Sequence, residues 1–241
     1  MAQQGALFAN QDNGRGGRAT EVYLSSEGAI NYIQWWKDSY DKGHYLYTGV
    51  QRDWGGTTDL FNAQQVAMLL TSSSLATSVT DAGNEAGYEV VASFMPYNQD
   101  IPRKGSLIGG ATLYLINELS PDVETGAIMF MNFFQRPESA AAWHKLTGYI
   151  PITQPAVDLL ESEGWFEENP NYMVATNQLA DSEPTSASLG PLVGNFLAIR
   201  DVFTAAMEKI MVEDADVLET MTEANEEANQ LLEDYNLLYS D

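Results

Sequence analysis

Apolar residues recur at helical spacing through most of the second half of the chain. In segment 214–237 the residues on this three-to-four residue period are Val217, Met221, Ala224, Ala228, Leu231 and Tyr235. In segment 194–212 they are Phe196, Ile199, Phe203, Ala206 and Ile210. A stripe of this kind predicts an amphipathic helix that buries one face. Shorter helices are predicted over 27–42, 122–134, 137–146, 155–163 and 171–180. Helix 122–134 is expected to bury Ile128, Phe130, Met131 and Phe134.

Three short apolar runs in the first half of the chain predict buried strands, at 65–71, 89–97 and 106–116. The run Thr71-Ser72-Ser73-Ser74 follows the first strand and predicts a turn into a helix, because Ser and Thr cap helices. Residues 1–20, rich in Gly, Asn and Gln, predict a loop or frayed terminus. Strands followed by many helices indicate a layered α/β fold.

The composition narrows the possible chemistry. The chain has 241 residues and no cysteine, which excludes disulfides and thiolate sites. Its two histidines, His44 and His144, are far apart in the sequence and do not suggest a metal centre. The acidic pairs at 167–168 and 226–227 lack a nucleophile or metal partner, and neighbouring acids on a helix point in different directions. The sequence therefore predicts no enzyme, no cofactor and no metal.

The net charge is −23, from 34 acidic and 11 basic residues. Residues 151–241 hold 19 acidic residues and two basic ones, a net charge of −17. Nucleic acids and anionic membrane surfaces are therefore not expected as partners. Such acidity is typical of a halophilic or marine protein, in which salt screens the repulsion. A solvated acidic face explains it equally, and composition alone leaves both interpretations open.

Segment 109–153 contains the most specific pattern, beginning with GGAT and ending with AAAWHKLTGYIPIT. With the runs EENP and NQLLE, it resembles the extracytoplasmic solute-binding proteins of ABC importers, most closely those that bind sn-glycerol-3-phosphate. The resemblance extends from about residue 25 to the end of the chain. It implies an α/β fold, namely the helix-rich C-terminal part of a two-lobe periplasmic-binding-protein fold.

The resemblance also implies a domain organisation. Residues 1–105 would form the latter part of lobe two, 106–150 a return segment of lobe one, and 151–241 the C-terminal helices on lobe two. Met1 falls where the family is in mid-chain and no signal peptide follows it, so we expect a fragment or truncated gene product. A cleft shared by two lobes would leave such a fragment with weak affinity by itself.

Four residues match positions that line the ligand in the glycerol-phosphate relatives. Ser72 would offer hydroxyl and backbone donors at a helix start, and Gly110 would let the ligand approach the backbone closely. Tyr149 would pack its ring on the glycerol carbons. Arg200 would supply a planar guanidinium to phosphate, and it is one of two cations in 91 residues.

The implied function is capture of a small polyol phosphate, glycerol-3-phosphate or its diester, for delivery to a membrane permease. The protein would be extracytoplasmic and monomeric, and would bind no nucleic acid. A neutral sugar or oligosaccharide is the alternative ligand. Arg200 argues against the sugar, whereas Trp54, in a glycine-rich loop, favours it.

Overall fold

The computed structural model describes residues 1–239, and this part of the chain is organised by helices. Segment α1 (Asn10–Gly14) is a single left-handed turn, because Gln11, Asp12 and Asn13 have φ of 53°, 56° and 55°. The α-helices are α2 (Glu27–Asp41), α3 (Trp54–Asn62), α4 (Ala76–Ala86), α5 (Pro121–Phe134), α6 (Pro137–Thr147), α7 (Gln154–Ser162), α8 (Trp165–Glu168), α9 (Met173–Ala180), α10 (Phe196–Val212) and α11 (Val217–Leu238). Three-residue 3₁₀ turns lie at Ala2–Gln4, Ser73–Leu75 and Pro170–Tyr172. The long helices match the predicted ones to within a few residues at each end.

The chain divides into two compact units. Unit 1 contains Met1–Thr57, Tyr97–Leu107 and the chain from Asp181 onward, and unit 2 contains Thr58–Pro96 and Ile108–Ala180. The predicted boundary at 105 lies close to the division after Leu107, whereas the one at 150 falls inside unit 2. The assignment of the three segments to the lobes of a family fold stays a prediction.

The core of unit 1 is formed by α2, α10 and α11. The side chains of Ile33, Ile199, Ile210, Met221 and Leu232 are completely buried there. Helix α11 buries one face at the predicted spacing and is capped by Asp216, whose carboxylate accepts a hydrogen bond from the Glu219 amide. Such a cap satisfies an amide that the helix itself leaves unpaired. The periodic apolar stripes of α10 and α11 thus become the centre of this unit.

The N-terminal segment is packed, so the predicted frayed terminus at residues 1–20 is wrong, although much of the segment is irregular, as the predicted loop requires. Ala9 is fully buried and Asn13 is 1% exposed. The Asn13 side chain accepts hydrogen bonds from the amides of Phe8 and Ala9, each at 2.8 Å, and donates one to the Ser186 carbonyl at 2.9 Å. These three hydrogen bonds satisfy backbone groups that no regular helix or strand pairs in this segment. The polar, glycine-rich sequence alone does not predict them.

The three predicted strands at 65–71, 89–97 and 106–116 are wrong for residues 1–239, where the structure has only an isolated bridge between Ala9 and Val22. A strand requires a neighbouring strand to complete its hydrogen bonds. In 89–97 the Ala92 and Met95 amides bond instead to the side chains of Asn171 and Gln178. Residues 108–116 make no hydrogen bond within the described part of the chain and are all exposed. These segments therefore have residues typical of strands but form no strand within residues 1–239.

Helix α5 forms as predicted but does not bury the expected side chains. No residue of this helix is buried within unit 2, and Ile128 and Phe130 remain 43% and 55% exposed. Its contact with the described chain is mainly at its end, where the Phe134 ring lies 5.9 Å from Trp143 of α6. Unit 2 therefore leaves much of the apolar surface of α5 exposed.

No helix among residues 1–239 has both the length and the apolar character required to cross a bilayer.

The thermal midpoint of unfolding is expected to rise with salt, because the net charge of −23 makes the folded chain repel itself. The Debye length falls from about 10 Å at 0.1 M to about 3 Å at 1 M salt. Melting in increasing KCl measures the effect. Replacing the exposed pair Glu226 and Glu227 by glutamine should raise the midpoint at low salt and flatten its salt dependence. A midpoint that stays constant or falls would contradict the halophilic interpretation.

Candidate functional site

A serine-rich turn precedes helix α4 in unit 2. Ser72 precedes the 3₁₀ turn Ser73–Leu75, and its hydroxyl oxygen accepts a hydrogen bond from the Ser74 amide at 3.3 Å. The Ser74 hydroxyl lies 3.1 Å from the same oxygen. Helix α4 starts directly afterwards, so the hydroxyl groups of Ser72 and Ser74 lie just before its first turn. This arrangement suits an anionic ligand group.

The end of helix α6 packs against this turn. Gly148 ends the helix in a left-handed conformation with φ of +76°, and its amide bonds to the His144 carbonyl at 2.8 Å. A Cβ atom built on Gly148 would lie 2.4 Å from the Ser73 carbonyl oxygen and 3.2 Å from the Cβ of Ala76. Only glycine permits both the torsion angle and this close approach.

Tyr149 follows Gly148 and has its backbone fixed while its ring remains accessible. Its amide donates to the hydroxyl of Thr147 at 3.2 Å, and its carbonyl contacts the His144 ring at 2.7 Å. The side chain is 38% exposed, and its ring lies 6.3 Å from that of Trp143. Its hydroxyl makes no hydrogen bond within residues 1–239. Gly148 contacts Ser73, and two of the four predicted residues, Ser72 and Tyr149, are their direct neighbours in the sequence.

His144 was not among the predicted site residues, yet it is built into this loop. It is 1% exposed, and its ring lies edge-on to Phe166 and Tyr172 at 5.5 Å each. Burial lowers the pKa of His144, the bond to the Tyr149 carbonyl opposes this shift, and the charge of Lys145 reinforces it. The sequence offers one signal for His144. It lies one turn before Gly148, the glycine that ends the helix.

Gly110 is exposed in an irregular segment of unit 2. A Cβ atom built there meets no atom within 4 Å, so packing within the described chain does not require glycine at this position. No hydrogen bond within the described residues joins Gly110 to Ser72 or Tyr149. Its role as a ligand contact stays a prediction.

Arg200 belongs to unit 1, on the first turns of α10. The residue is exposed, and its guanidinium carbon lies 6.0 Å from the centre of the Phe196 ring. The adjacent Asp201 is ion-paired with Arg52. Within residues 1–239 no carboxylate forms an ion pair with Arg200. This leaves a positive charge for an anionic ligand in a strongly acidic protein.

No metal centre emerges from the described residues, where no group of three or more His, Cys, Asp or Glu side chains comes together.

Comparison with known proteins identifies relatives of the chain. The sequence profile of the bacterial extracellular solute-binding proteins matches residues 1–174. The sn-glycerol-3-phosphate-binding periplasmic protein UgpB of Escherichia coli is 29% identical over 233 residues, which are 96% of this chain and 52% of that protein. The chain therefore spans about half the length of the curated relatives it matches.

Solved structures show the same fold. UgpB of Mycobacterium tuberculosis in complex with glycerophosphocholine matches 92% of this chain and 54% of its own, with 19% identity and a TM-score of 0.67. The cyclic alpha-maltosyl-1,6-maltose binding protein of Arthrobacter globiformis matches 96% and 54%, with 19% identity and a TM-score of 0.66. The sugar-binding protein MalE of Xanthomonas citri matches 100% and 58%, with 13% identity and a TM-score of 0.67. The predicted periplasmic-binding-protein fold is confirmed.

Proposed function

Because this chain belongs to the family of bacterial extracellular solute-binding proteins, we propose that it binds a small polyol phosphate for an ABC importer. The proposed ligand is sn-glycerol-3-phosphate or its diester, which the chain would deliver to a membrane permease. The family and the curated relatives are solute receptors and not enzymes. No catalytic activity is therefore proposed.

The observation that carries the proposal is the close packing of Gly148 on the Ser73 carbonyl. Through this contact the backbone next to Tyr149, whose ring is partly exposed, meets the hydroxyl-rich turn that precedes α4. A tyrosine ring can cover the glycerol carbons while amides and hydroxyls bind polar oxygens. Both features are those that a small, polar, partly aliphatic ligand requires.

Arg200 is the residue that we propose for binding the anionic phosphate group of the ligand. A guanidinium binds phosphate with two parallel hydrogen bonds, and the charge of this arginine is not neutralised by an ion pair within residues 1–239. In a chain of net charge −23, an anion requires such a local positive group. We propose Ser72, Gly110, Tyr149 and Arg200 as ligand contacts, with Gly110 acting through its backbone.

A neutral sugar is the second candidate ligand. Two of the structural relatives are named for maltose-type or other sugars. Trp54 is 65% exposed, which suits stacking on a sugar ring. A sugar would leave the Arg200 charge without a partner, which favours the phosphate ester.

The location and partner follow from the same relatives. The curated relatives are named periplasmic proteins. We propose that this chain acts outside the cytoplasm, either in a periplasm or on the outer face of a membrane. The proposed partner is the transmembrane permease of an ABC importer.

Titration of the 241-residue chain with four compounds tests the ligand: sn-glycerol-3-phosphate, glycerol, inorganic phosphate and maltose. Ligand-observed saturation-transfer NMR detects binding even when the dissociation constant is in the millimolar range. The phosphate ester is expected to bind most tightly, with a dissociation constant above about 1 μM. Binding of maltose alone would replace the polyol phosphate with the sugar, and binding of none would contradict both.

A further inference from the structure

The backbone of Tyr149 is held on both sides by the last turn of α6. On one side, the Thr147 hydroxyl accepts from the Tyr149 amide at 3.2 Å and donates to the Trp143 carbonyl at 2.6 Å. On the other side, the Tyr149 carbonyl lies 2.7 Å from Nδ1 of His144. The side chain is left partly exposed. The backbone of Tyr149, from which the ring projects, is therefore held by two side chains of the preceding helix.

The protonation state of His144 follows from this contact. A carbonyl oxygen only accepts hydrogen bonds, so Nδ1 must carry the proton. The Nε2 atom is buried without a hydrogen-bond partner within residues 1–239. A proton on Nε2 would have no acceptor there, and an unsatisfied buried donor is unfavourable. The ring is thus a neutral imidazole with its proton on Nδ1.

The surroundings of the imidazole favour the same neutral form. Its ring contacts are Phe166 and Tyr172, and the Tyr172 hydroxyl donates to Thr77 of α4. The adjacent Lys145 is ion-paired with Glu163 at 2.5 Å. The acidic residues of α4, α5 and α7, which pack against α6, and of α8, which supplies Phe166, are exposed: Asp81, Glu85, Asp122, Glu124, Asp158, Glu161, Glu167 and Glu168. No carboxylate is paired with His144 among the described residues.

We infer that His144 is the positioning residue of this site, whose Nδ1–H fixes the Tyr149 carbonyl and so presents the tyrosine ring to the ligand. The inference rests on the proposed function for the ligand, but the hydrogen bond itself can be measured without one. Protonation of the ring would place a charge in an aromatic pocket. The site should therefore loosen as the pH is lowered below about 6.5, the ordinary pKa of histidine.

Two substitutions in the whole chain separate the hydrogen bond from the packing. His144→Phe keeps an aromatic ring but removes the donor, whereas His144→Asn retains an amide donor close to the Nδ1 position. His44→Asn, at an exposed histidine, is the control. Amide hydrogen exchange of Tyr149 should be about tenfold faster in His144→Phe, a change equivalent to about 1.4 kcal/mol. In His144→Asn and His44→Asn it should stay close to the wild-type rate.

Affinity for sn-glycerol-3-phosphate is measured on the same proteins. It should fall in His144→Phe and stay close to the wild-type value in His144→Asn and His44→Asn. Unchanged exchange in His144→Phe, or equal loss in His144→Asn, would overturn the inference. If the wild type binds no glycerol-3-phosphate, the proposed function fails, and the exchange rates still decide whether His144 holds Tyr149.

Nitrogen-15 NMR of the histidine rings provides a test that needs no substitution. The spectrum should show His144 as the neutral Nδ1–H tautomer at pH 7, with the exposed His44 as a reference signal. The protection of the Tyr149 amide, corrected for intrinsic exchange, should fall as the pH is lowered in the wild type and stay constant in His144→Phe. An Nε2–H tautomer or an imidazolium at pH 7 would overturn the inference even if neither variant folded.

Discussion

Replacing Gly148 by alanine is expected to destabilise unit 2 by about 2–5 kcal/mol. The left-handed conformation at φ of +76° is unfavourable for alanine by roughly 1–2 kcal/mol. The new Cβ atom would also lie 2.4 Å from the Ser73 carbonyl, and such overpacking typically costs a further 1–3 kcal/mol. Because the helix end must move away from the serine turn, affinity for the ligand should fall as well. The midpoint of thermal unfolding measures the stability, at roughly 2–4 °C for each kcal/mol.

Gly87→Ala is the matched control for this substitution. Gly87 also ends a helix of unit 2, with φ of +82°, but a Cβ atom there would meet no atom within 4 Å. It should lose only the conformational part, roughly 1–2 kcal/mol, and leave ligand affinity unchanged. Equal destabilisation by both substitutions would show that the contact with Ser73 contributes nothing.

The long helices could be predicted because their sequence and packing agree. In α11 the apolar stripe that begins at Val217 becomes the face buried against α2 and α10. Helix α2 ends where Gly43 follows, with φ of +70°. Periodicity and helix-ending residues are local signals that need no knowledge of distant chain. The boundaries they give are correct to within a few residues.

The predictions were wrong where the structure of a segment depends on contacts with residues far away in the sequence. Segment 106–116 has the composition of a buried strand, but within residues 1–239 its part from 108 to 116 makes no hydrogen bond with any other segment. Helix α5 has an apolar face that unit 2 does not cover. The N-terminal segment is held by hydrogen bonds to distant residues, among them those from Asn13 to the Ser186 carbonyl and from Arg15 to the Gly190 carbonyl. None of these outcomes is encoded in the segment's own pattern.

The candidate site was predictable in part. Family resemblance drew attention to Ser72 and Tyr149, and the structure places both next to the contact of Gly148 with Ser73. That contact and the hydrogen bond from His144 depend on how α4 and α6 pack, which residue types alone do not reveal. Gly110 and Arg200 were selected by the same resemblance and stay predictions.

Replacing Arg200 by alanine is expected to abolish detectable binding of the phosphate ester while leaving the fold intact. Its side chain is exposed and contacts the Phe196 ring, whereas the buried residues of α10 are Ile199, Ala206, Ile210 and Met211. Losing a charged, bidentate contact with phosphate typically costs roughly 2–5 kcal/mol, or about 30-fold or more in affinity. Titration of wild type and variant with sn-glycerol-3-phosphate measures the loss, and circular dichroism verifies the fold.

Two further variants identify the origin of that loss. Lys209→Ala removes the other cation of α10 at an exposed position and should leave affinity almost unchanged, so it controls for net charge. Arg200→Lys should restore binding only in part, because an ammonium group lacks the planar pair of donors. If Lys209→Ala weakened binding as much as Arg200→Ala, long-range attraction would explain the effect. If Arg200→Ala bound the phosphate ester as well as the wild type, recognition would lie elsewhere, and the neutral sugar would become the better ligand.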